Sequence, residues 1–328
     1  MAAGQNLPIL ALFPGRRQIM SESWQGRAAP NGSAEPIEFM LDGDCIRGTF
    51  YRPAGAGAPV PAVVLAHGWS MVAGGDLEDY AAAVVNRGLA ALTFDFRNLG
   101  KSGSLPRQEI DPYRQVEDFR AAISYVRGRP EVDRERIGIW GSSYSGGHAL
   151  TVAAIDRRVK CVVSQVPTTS GFSAAQRRVR YDKAQALQAA FEADREARFA
   201  GAEPATLRMV DPDPEAPVAY PGPDSYRYMT GEARRCPQWV NAVTLRSLEL
   251  ARTYEPGVYA RRIAPTPLLM IVAASDGLTP ADLQQDAFNN AQQPKELLLL
   301  PGGHYSVYTD HFDRTSQAAA DWFALHLR

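Results

Sequence analysis

Short apolar runs alternate along this chain with segments of helical spacing, and that alternation restricts the fold more than any other feature. Residues 62–66, 89–94, 137–140, 159–163, 268–272 and 297–300 are too short for helices and too uniformly apolar for surface strands. They read as strands buried on both faces. Residues 77–87, which stop at Gly88, and 116–126, which carry Phe119, Ile123 and Val126 on one side, have the period of amphipathic helices. A last helix is expected over 312–327. Strands joined through helices require right-handed crossovers and a parallel sheet with helices on both faces. A hairpin, 37–41 and 45–52 around Asp42-Gly43-Asp44, precedes them and brings the expected mostly parallel sheet to eight strands.

The stretch 167–261 has no strand character. Within it, 173–199 is rich in Ala, Arg and Gln and reads as helix, 211–224 is a Pro-rich loop, and 239–254 looks helical again. An insertion of this length inside an alternating fold reads as a helical cap over a site. The expected organisation is an N-terminal arm (1–36), an α/β core (37–166 and 262–328) and the cap (167–261). The apolar stretch 7–13 is broken by Pro8, and Arg16 and Arg17 follow it, the wrong order for a signal peptide. Nothing approaches the length of a membrane span. Cys45, Cys161 and Cys236 are odd in number and far apart, as in a reducing compartment. A cytoplasmic protein is expected. With 35 Lys and Arg against 36 Asp and Glu, no charge excess points to a nucleic-acid or membrane partner, which leaves a small-molecule substrate. Trp322 and Phe323 belong either to the core or to an interface, so a homodimer stays open.

The chemistry concentrates in Gly141-Ser142-Ser143-Tyr144-Ser145-Gly146-Gly147, between an expected strand and an expected helix. A serine on so sharp a turn lifts its oxygen above the sheet, provided that small residues two before and two after let strand and helix close. For Ser143 these are Gly141 and Ser145, the latter where glycine is usual. The competing frame makes Ser145 the nucleophile. A serine hydroxyl needs a base. Of five histidines, His304 in Pro301-Gly302-Gly303-His304 directly follows the last strand. Parallel strands end on one sheet edge, so His304 shares that edge with Ser143. His67 sits in a turn, His148 on the helix after the elbow, His311 near the start of the last helix and His326 at the chain end. Asp276 ends the neighbouring strand and is placed to orient the base; Asp95, Asp282 and Asp286 are alternatives. A tetrahedral oxyanion needs two donors, for which the backbone N–H groups of Tyr144 and of Trp69, after His67-Gly68, are placed. In the segment 95–102, an Asp95–Arg97 pair and Gly100 are expected to shape the loop. No metal or cofactor motif is present, so neither is expected.

Taken together, His67-Gly68, Asp95-x-Arg97-x-x-Gly100-x-Ser102, the Ser143 elbow, Asp276 and Gly303-His304 resemble the dienelactone-hydrolase-related α/β hydrolases over residues 37–325. The likeness is to the subgroup with a G-x-S-[YF]-S-G-G elbow, which includes fungal polyketide transferases, thiohydrolases and bacterial esterases. It implies an α/β-hydrolase fold with Ser143 as nucleophile, Asp276 as acid and His304 as base, and it makes Ser145 the subgroup's own residue. Dienelactone hydrolases proper have cysteine at the nucleophile position, which argues against that activity here. The expected reaction is hydrolysis of an ester or thioester through an acyl-enzyme. Alternatives are acyl transfer on the same three residues, peptidase or amidase activity, and a non-catalytic ligand-binding relative.

Overall fold

The computed structural model describes residues 29–57 and 59–328. The hairpin strands β1 (Gly32–Leu41) and β2 (Asp44–Pro53) turn through Asp42 and Gly43, both at positive φ (52° and 88°). That geometry matches the right-handed strand twist, and Asp-Gly tolerates it. The alternating section follows as β3 (Val60–Ala66), α1 (Asp76–Val85), β4 (Ala90–Phe94), α2 (Pro112–Arg127), β5 (Val132–Ser142), α3 (Tyr144–Ile155) and β6 (Val159–Gln165). An insertion then carries α4 (Gly171–Arg178), α5 (Tyr181–Phe199), β7 (Thr206–Leu207), α6 (Pro223–Arg235), β8 (Val243–Thr244), α7 (Leu245–Ala251) and a 3-10 turn, Pro256–Arg262. The chain closes with β9 (Leu268–Ala273), α8 (Ala281–Asn290), β10 (Lys295–Leu300), a 3-10 turn at His304–Val307 and α9 (Phe312–His326).

The main sheet has eight strands in the order β1-β2-β4-β3-β5-β6-β9-β10. The hairpin is antiparallel at one edge and the other six strands are parallel, as the apolar runs predict. Side chains alternate along β5, and its two inner glycines show what lies on each face. A Cβ on Gly138 would meet the Phe323 ring of α9 at 2.7 Å, while one on Gly141, of opposite parity, would meet Ala149 of α3 at 3.1 Å. Helices therefore cover both faces. Phe323 and Trp322 are buried in this core, 0% and 9% exposed. No helix among the described residues is long and apolar enough to cross a membrane.

Several expectations differ from the structure. The strand β1 starts at Gly32, so residues 32–36 of the expected arm are sheet; residues 1–28 of it lie outside the described residues. Most β1 side chains are exposed at the sheet edge, so no apolar alternation announces it. The insertion does hold strands, β7 and β8, but at two residues each they are too short for a period. The expected helix 173–199 breaks where Val179 and Arg180 turn extended, ψ 122° and 139°. The expected helix 239–254 shrinks to α7, because Thr244 is extended and caps it, its hydroxyl accepting from Ser247 N–H.

Arg97 pairs differently from the Asp95–Arg97 expectation. Its Nε donates to Asp118 Oδ1 at 2.6 Å and its Nη1 lies 3.3 Å from Asp44 Oδ2. Asp95 instead accepts from Ala73 and Lys101 N–H at 2.5 and 2.7 Å, which ties the loop after β3 to the loop after β4. Gly100, at φ 50°, is needed there, since a Cβ would fall 2.3 Å from the Asp95 carboxylate. Arg97 and Asp118 are 3% and 0% exposed. Asp118→Ala, which leaves the buried guanidinium the Asp44 carboxylate at 3.3 Å as its remaining acidic partner among the described residues, is expected to cost about 3 kcal/mol in urea unfolding, and replacing both Arg97 and Asp118 with apolar residues to cost less.

Candidate active site

The turn from β5 to α3 sets the geometry. Ser143 has φ 58° and ψ −115°, a conformation L-residues avoid. It is held there by two backbone bonds: its N–H donates to Gln165 O at 2.8 Å, and its carbonyl accepts from Thr168 N–H at 2.9 Å. The close approach depends on Gly141, where a Cβ would fall 2.0 Å from the Ser145 carbonyl oxygen, and on Gly146, where it would fall 2.9 Å from that of Gln165. Ser145 is fully buried. Its hydroxyl lies 2.6 Å from the Ala66 carbonyl, to which it donates, and accepts from Ser142 N–H at 2.9 Å. The competing nucleophile is thus committed to joining β3 to β5, while Ser143 faces a cavity.

That cavity, of about 30 Å³, is lined by Ser143, His304, Trp69, Tyr220, Tyr228 and Tyr305 among others. His304 Nε2 lies 3.0 Å from Ser143 Oγ, and Nδ1 lies 2.8 Å from Asp276 Oδ2. Nδ1–H donating to the carboxylate leaves Nε2 as acceptor for the serine hydroxyl. Asp276 is braced on both oxygens. Oδ1 accepts from Leu278 and Thr279 N–H at 2.9 and 3.0 Å, and Oδ2 from the Thr279 hydroxyl at 2.8 Å and Gln284 Nε2 at 3.2 Å. Burial pushes the Asp276 carboxyl up, but the His304 ring and these bonds together hold it below the usual aspartate value. The line Asp276–His304–Ser143 can therefore move a proton from hydroxyl to imidazole and stabilise the cation that results.

The remaining candidates take other roles, although His67 and Trp69 line the same cavity. His67 accepts from Phe96 N–H at 3.3 Å and bonds the Gly68 carbonyl at 2.9 Å. Burial lowers its pKa to about 4, so it stays neutral and joins the β3 and β4 loops. His148 lies between Tyr254 Oη and Gln115 Oε1, both at 2.9 Å. Asp282 pairs with Arg177 at 2.6 Å, and Asp286 offers its carbonyl to Asn290. Tyr144 is the first residue of α3, where backbone N–H groups have no carbonyl one turn back. Trp69 follows Gly68, whose missing side chain would touch Ser143 Cβ at 3.3 Å, so the β3 loop runs against the serine.

Sequence reasoning missed Thr279 and Gln284. The Asp-x-x-Thr spacing was the available signal, since a hydroxyl three residues after a carboxylate in a tight turn can fold back onto it, as the Thr279 hydroxyl does at 2.8 Å from Asp276 Oδ2. From the sequence, the insertion aromatics Phe191, Tyr220, Tyr226, Tyr228, Trp239 and Tyr254 are expected mostly to pack the insertion, with a pocket lining as the alternative. Tyr220 and Tyr228 line the Ser143 cavity, because the loop before α6 and α6 itself run over that sheet edge. Among the described residues, no group of three or more His, Cys, Asp or Glu is placed to hold a metal.

The family model described as X-Pro dipeptidyl-peptidase (S15 family) matches residues 42–306. A thiohydrolase from Eupenicillium brefeldianum is 31% identical over 277 residues, 83% of this chain and 87% of the relative. Acyltransferase drtE from Aspergillus calidoustus is 32% identical over 275 residues, 82% of this chain and 86% of the relative. Among solved structures, α/β hydrolase GrgF from Penicillium sp. sh18 superposes with a TM-score of 0.77 at 26% identity, covering 90% of this chain and 99% of that one.

Ser145→Ala strands the Ala66 carbonyl and the Ser142 N–H in a dry turn. Each such loss costs about 1–3 kcal/mol. Urea unfolding is expected to show destabilisation in that range; an unchanged midpoint would mean that the hydroxyl does not join the strands.

Proposed function

This chain belongs to the family described as X-Pro dipeptidyl-peptidase (S15 family), within the α/β hydrolases, and from that premise we propose that it is a serine hydrolase cleaving an ester or thioester. The observation that carries the reading is the hydrogen-bonded line from Asp276 Oδ2 through His304 to Ser143 Oγ, at 2.8 and 3.0 Å. Ser143 attacks the carbonyl carbon while His304 Nε2 takes its proton. Asp276 stabilises the imidazolium and stays ionised. The oxyanion is received by the N–H groups of Tyr144 and Trp69, aided by the positive end of α3. Collapse of the intermediate expels the alcohol or thiol with the proton from His304, and water then releases the acid through the same base. An ester or thioester fits better than an amide because its leaving group needs less protonation.

The insertion serves as the cap. Tyr228 donates to Asp76 at the start of α1, and Gln238 Nε2 donates to the Ala73 carbonyl at 2.7 Å, so it is fastened to the loop after β3. Tyr305, beside His304, stacks on Tyr228 with ring centroids 4.6 Å apart. Such cover keeps solvent from the acyl-enzyme, which also supports a second reading: transfer of the acyl group to an alcohol, amine or thiol. Ser143 is only 6% exposed. Added acceptor nucleophiles that divert product from free acid distinguish transfer from hydrolysis.

Ser143→Ala is expected to abolish fluorophosphonate labelling and lower kcat on an activated ester by about 10⁴-fold or more, with the thermal unfolding curve retained. Labelling that persists would move the nucleophile elsewhere. Thr279→Val removes one bond to Asp276 without touching substrate. It is expected to lower kcat about tenfold with KM little changed, and Thr279→Ser to restore most of it. An equal loss in both variants would assign Thr279 to packing alone.

A further inference from the structure

Beyond Trp69 and Tyr220, whose rings lie 5.1 Å apart and line the Ser143 cavity, the insertion encloses a second cavity of about 470 Å³. Trp69 and Tyr220 line both, so the two cavities adjoin at this pair. The wall is mostly apolar, built from residues such as Ala174, Leu187, Leu245 and Leu248. Its charge is one-sided. Arg178, Arg180, Lys183 and Arg252 line it, and none of the lining residues is Asp or Glu, in a chain whose net charge is −1.

Two of these cations are compensated at the surface: Arg180 by Asp182 at 3.0 Å, and Lys183 by Glu215 at 3.5 Å. The other two are not. Arg178 donates from Nη2 to the Leu278 carbonyl at 3.2 Å and stands 4.6 Å from the Tyr220 ring centroid, but its Nε is buried without a hydrogen-bond partner among the described residues. Among the described residues, the Arg252 guanidinium has only the Phe191 ring, 5.4 Å away. Burial, followed by the nearby charge of Arg178, pushes the Arg252 guanidinium below its usual value. Two half-buried like charges on one cavity are unfavourable unless an anion lies between them, and guanidinium forks suit a carboxylate. Two more donors on the same wall, Trp69 Nε1 and Tyr144 Oη, are buried without partners among the described residues.

We propose that this cavity receives the far part of the acyl group, and that Arg178 and Arg252 bind an anionic group on it. The preferred substrates are then esters or thioesters of largely apolar acyl chains that end in a carboxylate. The inference rests on Ser143 being the nucleophile. The acyl side is favoured because the space beyond Trp69 and Tyr220 is apolar, whereas a phosphate-bearing leaving group is polar along most of its length.

The test uses paired substrates on the intact protein: the mono-4-nitrophenyl ester of suberic acid against 4-nitrophenyl octanoate, and octanoyl coenzyme A against the octanoyl N-acetylcysteamine thioester. The wild type is expected to favour the suberate ester by about tenfold or more in kcat/KM, mainly through KM. Arg178→Gln and Arg252→Gln are each expected to reduce that ratio about tenfold, with lysine at either position restoring part of it. Arg314→Gln, an exposed site on α9 that removes the same charge, is expected to leave the ratio as it is. Equal rates on both nitrophenyl esters overturn the proposal. So does a charge preference confined to the coenzyme A pair, which would place the anion on the leaving group. If no ester is turned over and fluorophosphonate does not label Ser143, the hydrolase reading has failed instead. Calorimetric titration with suberate then decides the binding claim by itself: heat lost in the two glutamine variants supports it, and no heat with the wild type overturns it.

Discussion

The structure turns on one close contact, the approach of β5 and α3 at residues 141–146. A Cβ at Gly141 would fall 2.0 Å from the Ser145 carbonyl oxygen, so strand and helix meet there without room for any side chain. That contact holds Ser143 in its strained conformation, and the strain is offset by backbone bonds from β6 and the loop after it. Because the turn ends a central strand, it stands at the sheet edge where the loops carrying Asp276 and His304 also emerge. Ser145 adds the cross-tie to β3, so the loop bearing Gly68 and Trp69 is positioned from the same turn.

The insertion is fastened to this site through charge as well as packing. The Glu232 carboxylate accepts from Asp76 N–H at 2.8 Å, and Arg235 donates to Asp79 at 2.8 Å. Glu232 is fully buried near Asp76, and burial, followed by that neighbouring negative charge, raises its pKa to about 8. A carboxyl raised in the folded state binds more protons there than in the unfolded chain, so its contribution to stability falls as pH rises from about 4.5 toward 8. Tyr228 and Asp76 of this junction between α6 and α1 also line the Ser143 cavity.

The limits of legibility follow residue by residue. All eight strands of the main sheet were readable: burial on both faces leaves an apolar run in β3, β4, β5, β6 and β9, and Asp-Gly marks the hairpin turn, whereas β10, also expected to be buried on both faces, is an edge strand on which Leu297 and Leu298 are half-buried and Leu299 is exposed. The extension of β1 to Gly32 was not, since an edge strand exposed to water carries no such mark. Arg97 was assigned to Asp95 from proximity in the chain. Its partner Asp118 is on α2, where only the fold brings a carboxylate to the guanidinium. The break between α4 and α5 carries no mark in the sequence, since Val-Arg is compatible with helix.

That Ser143, Asp276 and His304 lie together was legible in the sequence because each stands within four residues of the end of a parallel strand, and parallel strands place their ends on one edge whatever their order in the chain. The sequence also determined the elbow, through the small residues that a sharp strand-to-helix turn requires. Only the tertiary structure decided the neighbours: Thr279 and Gln284 around Asp276, Tyr220 and Tyr228 over the serine, and Arg178 and Arg252 in one cavity without carboxylates. Those placements depend on how the insertion folds back on the sheet, and long-range packing of irregular segments leaves no period or spacing in the chain from which it can be read.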